Sequence, residues 1–156
     1  MKRLVAACLA TVLPLAACSQ EAAEPVAPED GIAGLSITNA RMALPAVSGN
    51  PAAVYFDAEY DGDRTITIRS ADVAGAARAE VHDTMEYGGE MVMNETSPVA
   101  MRNGDTVSFE PGGKHVMAFE LDPNLAAGGT TEVTLIIAGG DKHSFEVPIQ
   151  AAGDAR

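Results

Sequence analysis

The middle of this chain is a succession of short β-type segments separated by turns rich in Gly, Pro, Asn and Asp. Apolar and polar residues alternate in several segments, such as residues 65–69 and 106–110, as expected for a strand with one buried face. Turn residues such as Pro111-Gly112-Gly113 lie between the segments, because they adopt the tight conformations that chain reversals need. Eight strands are predicted, at residues 34–38, 52–60, 64–69, 77–83, 105–110, 115–121, 131–138 and 143–149.

This strand pattern predicts an antiparallel β-sandwich. Only residues 71–77, which are rich in Ala, and residues 123–127 are compatible with a helical turn. The length of 156 residues is enough for one ordinary domain and too short for two. We expect the domain to occupy residues 32–150, and residues 151–156 to form a disordered tail.

The N-terminus has the layout of a secretory signal. Lys2 and Arg3 precede an apolar run over residues 4–13, which is too short to span a bilayer as a stable helix. The segment Leu15-Ala16-Ala17-Cys18 follows and resembles a bacterial lipobox, in which the cysteine carries lipid and becomes the first mature residue. The sequence therefore predicts an exported lipoprotein.

The lipobox defines the first two segments of the chain. Residues 1–17 are the predicted signal peptide, and residues 18–31 are the lipidated Cys18 with an acidic, proline-containing, flexible tether. Ser19 stands where Asp would resemble an inner-membrane retention signal. We therefore expect a periplasmic domain that is lipid-anchored to the inner leaflet of the outer membrane.

The cysteine count and the charge exclude several classes of protein. Cys18 is the only cysteine of the predicted mature chain and lipid occupies its sulfur, so an intrachain disulfide, a thiolate metal site and a cysteine nucleophile are excluded. The formal net charge of −12 argues against a nucleic-acid partner, because phosphate neutralisation needs clustered Lys and Arg.

Histidines and methionines are concentrated in one part of the chain: residues 82–117 hold five of the seven methionines and two of the three histidines. Side chains two residues apart in a strand point to the same face, so His115 projects with Met117, and Met91 with Met93. His115 begins its predicted strand, and His82 is expected near the end of its own. We therefore expect two imidazoles and paired thioethers to meet at one rim of the sandwich.

These ligand types select the metal. Thioether sulfur is soft and uncharged and imidazole is borderline, so the set suits Cu(I) and poorly suits Mg²⁺, Ca²⁺ or Mn²⁺. Zn²⁺ normally requires a thiolate, a third histidine or a carboxylate in addition. A methionine taken singly is adequately explained as a core filler, but the paired His-x-Met and Met-x-Met patterns are difficult to explain by packing alone.

Four residues carry a resemblance to a known family. Ten residues separate His82 from Met93, 21 separate Met93 from His115, and one separates His115 from Met117. This spacing resembles that of the periplasmic copper chaperone family called PCuAC. The resemblance covers about residues 33–150 and includes the segments 39–41, 52–55, 89–93 and 111–117.

The resemblance implies an all-β, cupredoxin-like antiparallel Greek-key β-sandwich that binds Cu(I) through His82, Met93, His115 and Met117. It also implies delivery of copper to the CuA or CuB site of cytochrome oxidase, or another role in periplasmic copper handling. The implied partners are a copper ion and a copper-acceptor protein, such as a cytochrome oxidase subunit or another copper chaperone. Membrane contact is expected only through the lipid anchor.

The chain departs from the family in two places. Asn94 stands where an Arg commonly follows Met-x-Met, and the His- and Met-rich C-terminal extension of many members is missing, so a single Cu(I) site is expected. Met85 and Met91 are candidate accessory ligands: Met91 shares a face with Met93, whereas strand parity places Met85 on the face opposite His82. His143 has no Met neighbour and is interpreted as an ordinary surface residue.

The sequence features are consistent with three classes of function. A copper metallochaperone is favoured, with copper sequestration for tolerance as an alternative use of the same site. A copper oxidase or hydrolase is disfavoured, because the sequence lacks a recognisable Ser/His/Asp arrangement or cofactor loop and because methionine favours the reduced ion. A metal-free structural lipoprotein is the third reading, since β-sandwiches often serve as scaffolds.

Overall fold

The computed structural model describes residues 31–96 and 98–154. The predicted signal peptide, Cys18 and all of the tether except Gly31 lie outside these residues, as do the last two residues of the predicted tail. The described part contains ten strands: β1 (Leu35–Ala43), β2 (Ala52–Tyr60), β3 (Ile66–Val73), β4 (Ala76–Tyr87), β5 (Glu90–Glu95), β6 (Val99–Met101), β7 (Asp105–Phe109), β8 (His115–Leu121), β9 (Thr130–Ile137) and β10 (Lys142–Gln150).

The strands form one open sheet in the order β5-β4-β8-β2-β1-β10-β9-β3-β6, with β7 paired to β2 beside β8. Every pairing is antiparallel except that of β1 with β10, which is parallel and short. The predicted all-β, cupredoxin-like antiparallel fold class is confirmed, with one short parallel seam between β1 and β10. The seam joins the half of the sheet that contains β2 to the half that contains β9.

The alternation of buried and exposed residues along the strands shows where the core lies. In β2 every second residue from Ala52 to Tyr60 is buried, and in β9 Val133, Leu135 and Ile137 are buried while their neighbours are more exposed. The two halves contribute these side chains to one buried cluster. Because this cluster needs the apolar faces of both halves, it holds the sandwich together.

The two segments considered for helical turns contain no helix. Residues 71–77 include the end of β3 and the start of β4, joined at Gly75, whose φ is +78°. Residues 123–127 lie in the turns and irregular chain between β8 and β9. Ala-rich composition is outweighed here by burial, since Ala71 packs into the core at 1% exposure.

Among the described residues, no helix combines the length and apolar character required to span a membrane.

Candidate metal centre

The candidate site lies on the three strands at one end of the sheet, in the order β5, β4 and β8. In the antiparallel pair of β4 and β8, His82 is directly opposite His115. Their ring centroids are 6.1 Å apart, with the ring planes inclined by 40°. The register thus brings together the two histidines that the sequence separates by 32 residues.

Met117 lies two residues beyond His115 in β8 and pairs with Glu80 of β4. Met93 of β5 pairs with Thr84, two residues beyond His82 in β4. Paired residues and residues two apart share a face of a sheet, so all four predicted ligands lie on one face, which we call the histidine face. Met93 and Met117 are diagonal neighbours of His82, a relation that brings Cβ atoms to within about 7–8 Å and within reach of long side chains.

Exposure increases outward across the histidine face. His115 is 5% exposed, whereas Met93 on the edge strand is 49% exposed. Met42 and Met101 are completely buried in the core, whereas Met85, Met91 and Met93 are exposed. Packing therefore explains Met42 and Met101 but does not explain the three exposed methionines, of which Met91 and Met93 lie in β5 beside the histidines.

Each imidazole has one nitrogen beside a hydrogen-bond acceptor. Nδ1 of His115 lies 3.0 Å from the carbonyl oxygen of Gly113, and Nε2 of His82 lies 2.9 Å from a carboxylate oxygen of Glu80. Nδ1 of His82 is buried and has no hydrogen-bond partner among the described residues. A neutral imidazole that donates from one nitrogen keeps a lone pair on the other, which is the state a metal ligand requires.

The candidate accessory methionines lie on different faces. Met91 pairs with Glu86 and shares the histidine face with Met93, while Met85 pairs with Val92 on the opposite face. Asn94 pairs with Asp83 and also faces away from the histidines. The departure from the family pattern at Asn94 is therefore on the face that does not carry the predicted ligands.

The predicted position of His82 near the end of its strand is wrong. β4 extends to Tyr87, so His82 lies within the strand and not near its end. The extension comes from a hairpin to β5 through Gly88 and Gly89, whose φ values of +66° and +90° suit a two-residue turn in which both residues have positive φ. This turn reverses the chain and pairs β4 with β5, the edge strand that carries Met91 and Met93.

The interpretation of His143 as an ordinary surface residue is wrong. His143 is partly buried, and its Nδ1 accepts a hydrogen bond of 3.2 Å from the backbone N–H of Ile32. Burial lowers the pKa of the His143 imidazole below its ordinary value. Ile32 is 9% exposed and belongs to the core cluster, so the chain entering β1 covers this histidine.

In the part of the chain that the structure describes, no group of three or more His, Cys, Asp and Glu side chains is placed to hold a metal ion. The two histidines have only thioethers as further soft donors on their face. An imidazole and thioether set matches the preference of monovalent copper, whereas Mg²⁺ and Ca²⁺ prefer oxygen donors.

The fold is shared with solved PCuAC domains. The copper-bound PCuAC domain from PmoF2 superposes with a TM-score of 0.62 at 16% identity, covering 78% of this chain and 96% of that domain. The solution structure of CuI-DR1885 from Deinococcus radiodurans gives a TM-score of 0.60 at 20% identity, with 85% of each chain covered. The resemblance to PCuAC domains is therefore confirmed for the fold.

The chain belongs to the family described as "Putative lipoprotein LpqE-like", whose model matches residues 35–149. A curated relative, "Putative lipoprotein Lxx21020" of Leifsonia xyli subsp. xyli (strain CTCB07), is 28% identical over 106 residues. The match covers 67% of this chain and 64% of the relative's own length.

Proposed function

We propose that this chain is an exported, lipid-anchored protein that carries one Cu(I) ion and passes it to a copper-acceptor protein. His82, Met93, His115 and Met117 are the proposed ligands, with Met91 as an accessory donor nearer the solvent. The observation that supports this most is the direct opposition of His82 and His115, with ring centroids 6.1 Å apart and two methionines on the same face. The structural similarity to a copper-bound domain and to CuI-DR1885 agrees with this cargo.

The donor set is suited to a carrier. Four neutral ligands leave the complex with the single positive charge of Cu(I), and no anionic ligand has to be displaced when the ion leaves. The outer ligand Met93 is 49% exposed, so an incoming donor from an acceptor can approach the copper from solvent. We propose that the acceptor is a copper-requiring protein such as a cytochrome oxidase subunit, or another copper chaperone.

Copper titration of the mature chain in detergent tests this function. Under anaerobic, reducing conditions and against a competing Cu(I) chelator, we expect one Cu(I) per chain and much weaker binding of Cu(II). A ligand that binds only the native state raises the melting temperature, and at about 100 times its Kd it adds about 2.7 kcal/mol of stability. A metal-free structural role predicts a melting temperature that Cu(I) leaves unchanged, and this result would contradict the proposal.

The proposed anchor is tested separately from copper. Cys18→Ser removes the sulfur that receives lipid, so we expect the protein to move from the membrane fraction to the soluble fraction of the cell envelope. Cys8→Ser is the matched control, because Cys8 lies in the apolar run of the predicted signal and is removed with it. A Cys18→Ser protein that stays in the membrane fraction and still incorporates labelled fatty acid would exclude the lipobox assignment.

A further inference from the structure

We propose that Glu80 is a positioning residue that fixes the tautomer of His82, so that His82 offers Nδ1 to copper while His115 offers Nε2. The inference rests on the proposed function, and it concerns a residue outside the four predicted ligands. Its basis is the hydrogen bonding of the two imidazoles, which engages a different nitrogen in each ring.

Glu80 is held in place from two sides. One carboxylate oxygen lies 2.9 Å from Nε2 of His82, and the other forms a salt bridge with Arg78. The guanidinium of Arg78 in turn lies 3.7 Å from the ring centroid of Phe119 in β8, within the range of a cation–π contact. These contacts restrain the carboxylate on the histidine face beside the imidazole.

An ionised carboxylate can only accept a hydrogen bond, so the nitrogen facing Glu80 must carry the proton. The proton is then on Nε2 of His82, and the lone pair of the neutral ring is on Nδ1. This Nδ1 is buried without a hydrogen-bond partner among the described residues, although buried polar atoms are nearly always paired. A metal ion would satisfy that lone pair.

His115 is held in the complementary way. Its nearest acceptor is the backbone carbonyl of Gly113, 3.0 Å from Nδ1, so Nδ1 carries the proton and Nε2 keeps the lone pair. Because the acceptor is part of the backbone, a side-chain substitution cannot remove it. Glu80 is therefore the partner whose replacement changes the tautomer of one copper-binding ring and leaves the other intact.

Glu86 provides a matched control for Glu80. Both glutamates belong to β4 and both lie on the histidine face, but Glu86 pairs with Met91 near the hairpin turn, away from His82. Glu80→Gln and Glu86→Gln change the charge and shape by the same amount. Only the first removes the carboxylate at Nε2, and its amide can either donate or accept, so it no longer selects one tautomer.

The experiment measures the imidazole ¹⁵N chemical shifts and the Cu(I) affinity of the mature chain and of both variants. In the wild-type protein without copper we expect the Nε2–H tautomer at His82. When Cu(I) is added, we expect the ¹⁵N chemical shift of Nδ1 to change more than that of Nε2. Glu80→Gln is expected to mix the two tautomers and to weaken Cu(I) binding by about 10–100-fold, the usual effect of losing a hydrogen-bond partner of a ligand. Glu86→Gln is expected to match the wild type in both measurements.

The outcomes separate this inference from the function it rests on. Wild-type protein that binds no Cu(I) contradicts the copper-carrier proposal itself. If Cu(I) changes the ¹⁵N chemical shift of Nε2 of His82 and not that of Nδ1, only the role of Glu80 is overturned. The same conclusion follows if Glu80→Gln and Glu86→Gln bind Cu(I) with the same affinity. Circular dichroism of both variants shows whether the fold is retained. A loss of Cu(I) affinity in a folded variant is then attributed to the change at His82 and not to unfolding.

Discussion

His115→Ala is expected to abolish stoichiometric Cu(I) binding. The side chain is 5% exposed, directly opposite His82, and oriented by the carbonyl of Gly113, so its removal leaves the proposed site with only one imidazole. Loss of a metal ligand should weaken binding by more than the about 10–100-fold expected for the loss of a ligand's hydrogen-bond partner. Competition against a Cu(I) chelator of known affinity measures the change.

His143→Ala is the matched control for this prediction. His143 belongs to β10, in the half of the sheet that does not carry the histidine face, and its described polar contact is with the N–H of Ile32. We expect this variant to bind one Cu(I) with unchanged affinity, even if the loss of that hydrogen bond lowers its melting temperature. A His115→Ala protein that still binds copper as tightly as His143→Ala would exclude His115 as a ligand.

The sequence predicts the interior strands well, because their burial is periodic. Residues 52–60 and 115–121 are predicted with the bounds that the structure gives β2 and β8. The alternation is strong in β2 because every second side chain enters the core. The pairing of His115 with Met117 also follows from local periodicity, since both lie in one strand and two residues apart.

The edges of the sheet are harder to predict. β5 is missing from the predicted strands because it has no buried face: Met91 and Met93 are exposed and Val92 is only partly buried. β6 has three residues, which is too short for a periodic signal. The parallel contact of β1 with β10 joins parts of the chain that are far apart in sequence, and no local pattern indicates it.

The surroundings of the site also depend on contacts between distant parts of the chain, which local sequence patterns do not indicate. Spacing identifies His82 and His115 as candidates, but the register that makes them neighbours depends on how β4 pairs with β8. Glu80 is two residues from His82, so strand parity alone places it on the same face, and this parity is the sequence signal for its position beside that ring. The buried contact of His143 depends on the path of the chain at Ile32 and has no such signal.

Phe56→Ala is expected to be the most destabilising single change in the core. The chain has only four phenylalanines, and three of them form one cluster in which Phe56 is central. Phe56 stacks on Phe109, its cross-strand partner, at 4.2 Å between centroids, and meets Phe145 edge-on at 5.2 Å. Truncation leaves a cavity and removes both contacts, which should lower the free energy of unfolding by about 3–5 kcal/mol.

Urea unfolding in the absence of copper measures this loss, with Tyr87→Ala as the control. Tyr87 is also aromatic but is 83% exposed at the end of β4, so its removal should change stability by less than about 0.5 kcal/mol. Phe56→Leu keeps most of the apolar volume and stays measurable if Phe56→Ala does not fold. Equal stabilities for the Phe56 and Tyr87 variants would contradict a core centred on the aromatic cluster. Because Phe56 is not a proposed ligand, saturating Cu(I) should raise the midpoint of the folded Phe56→Leu variant as it does that of the wild type.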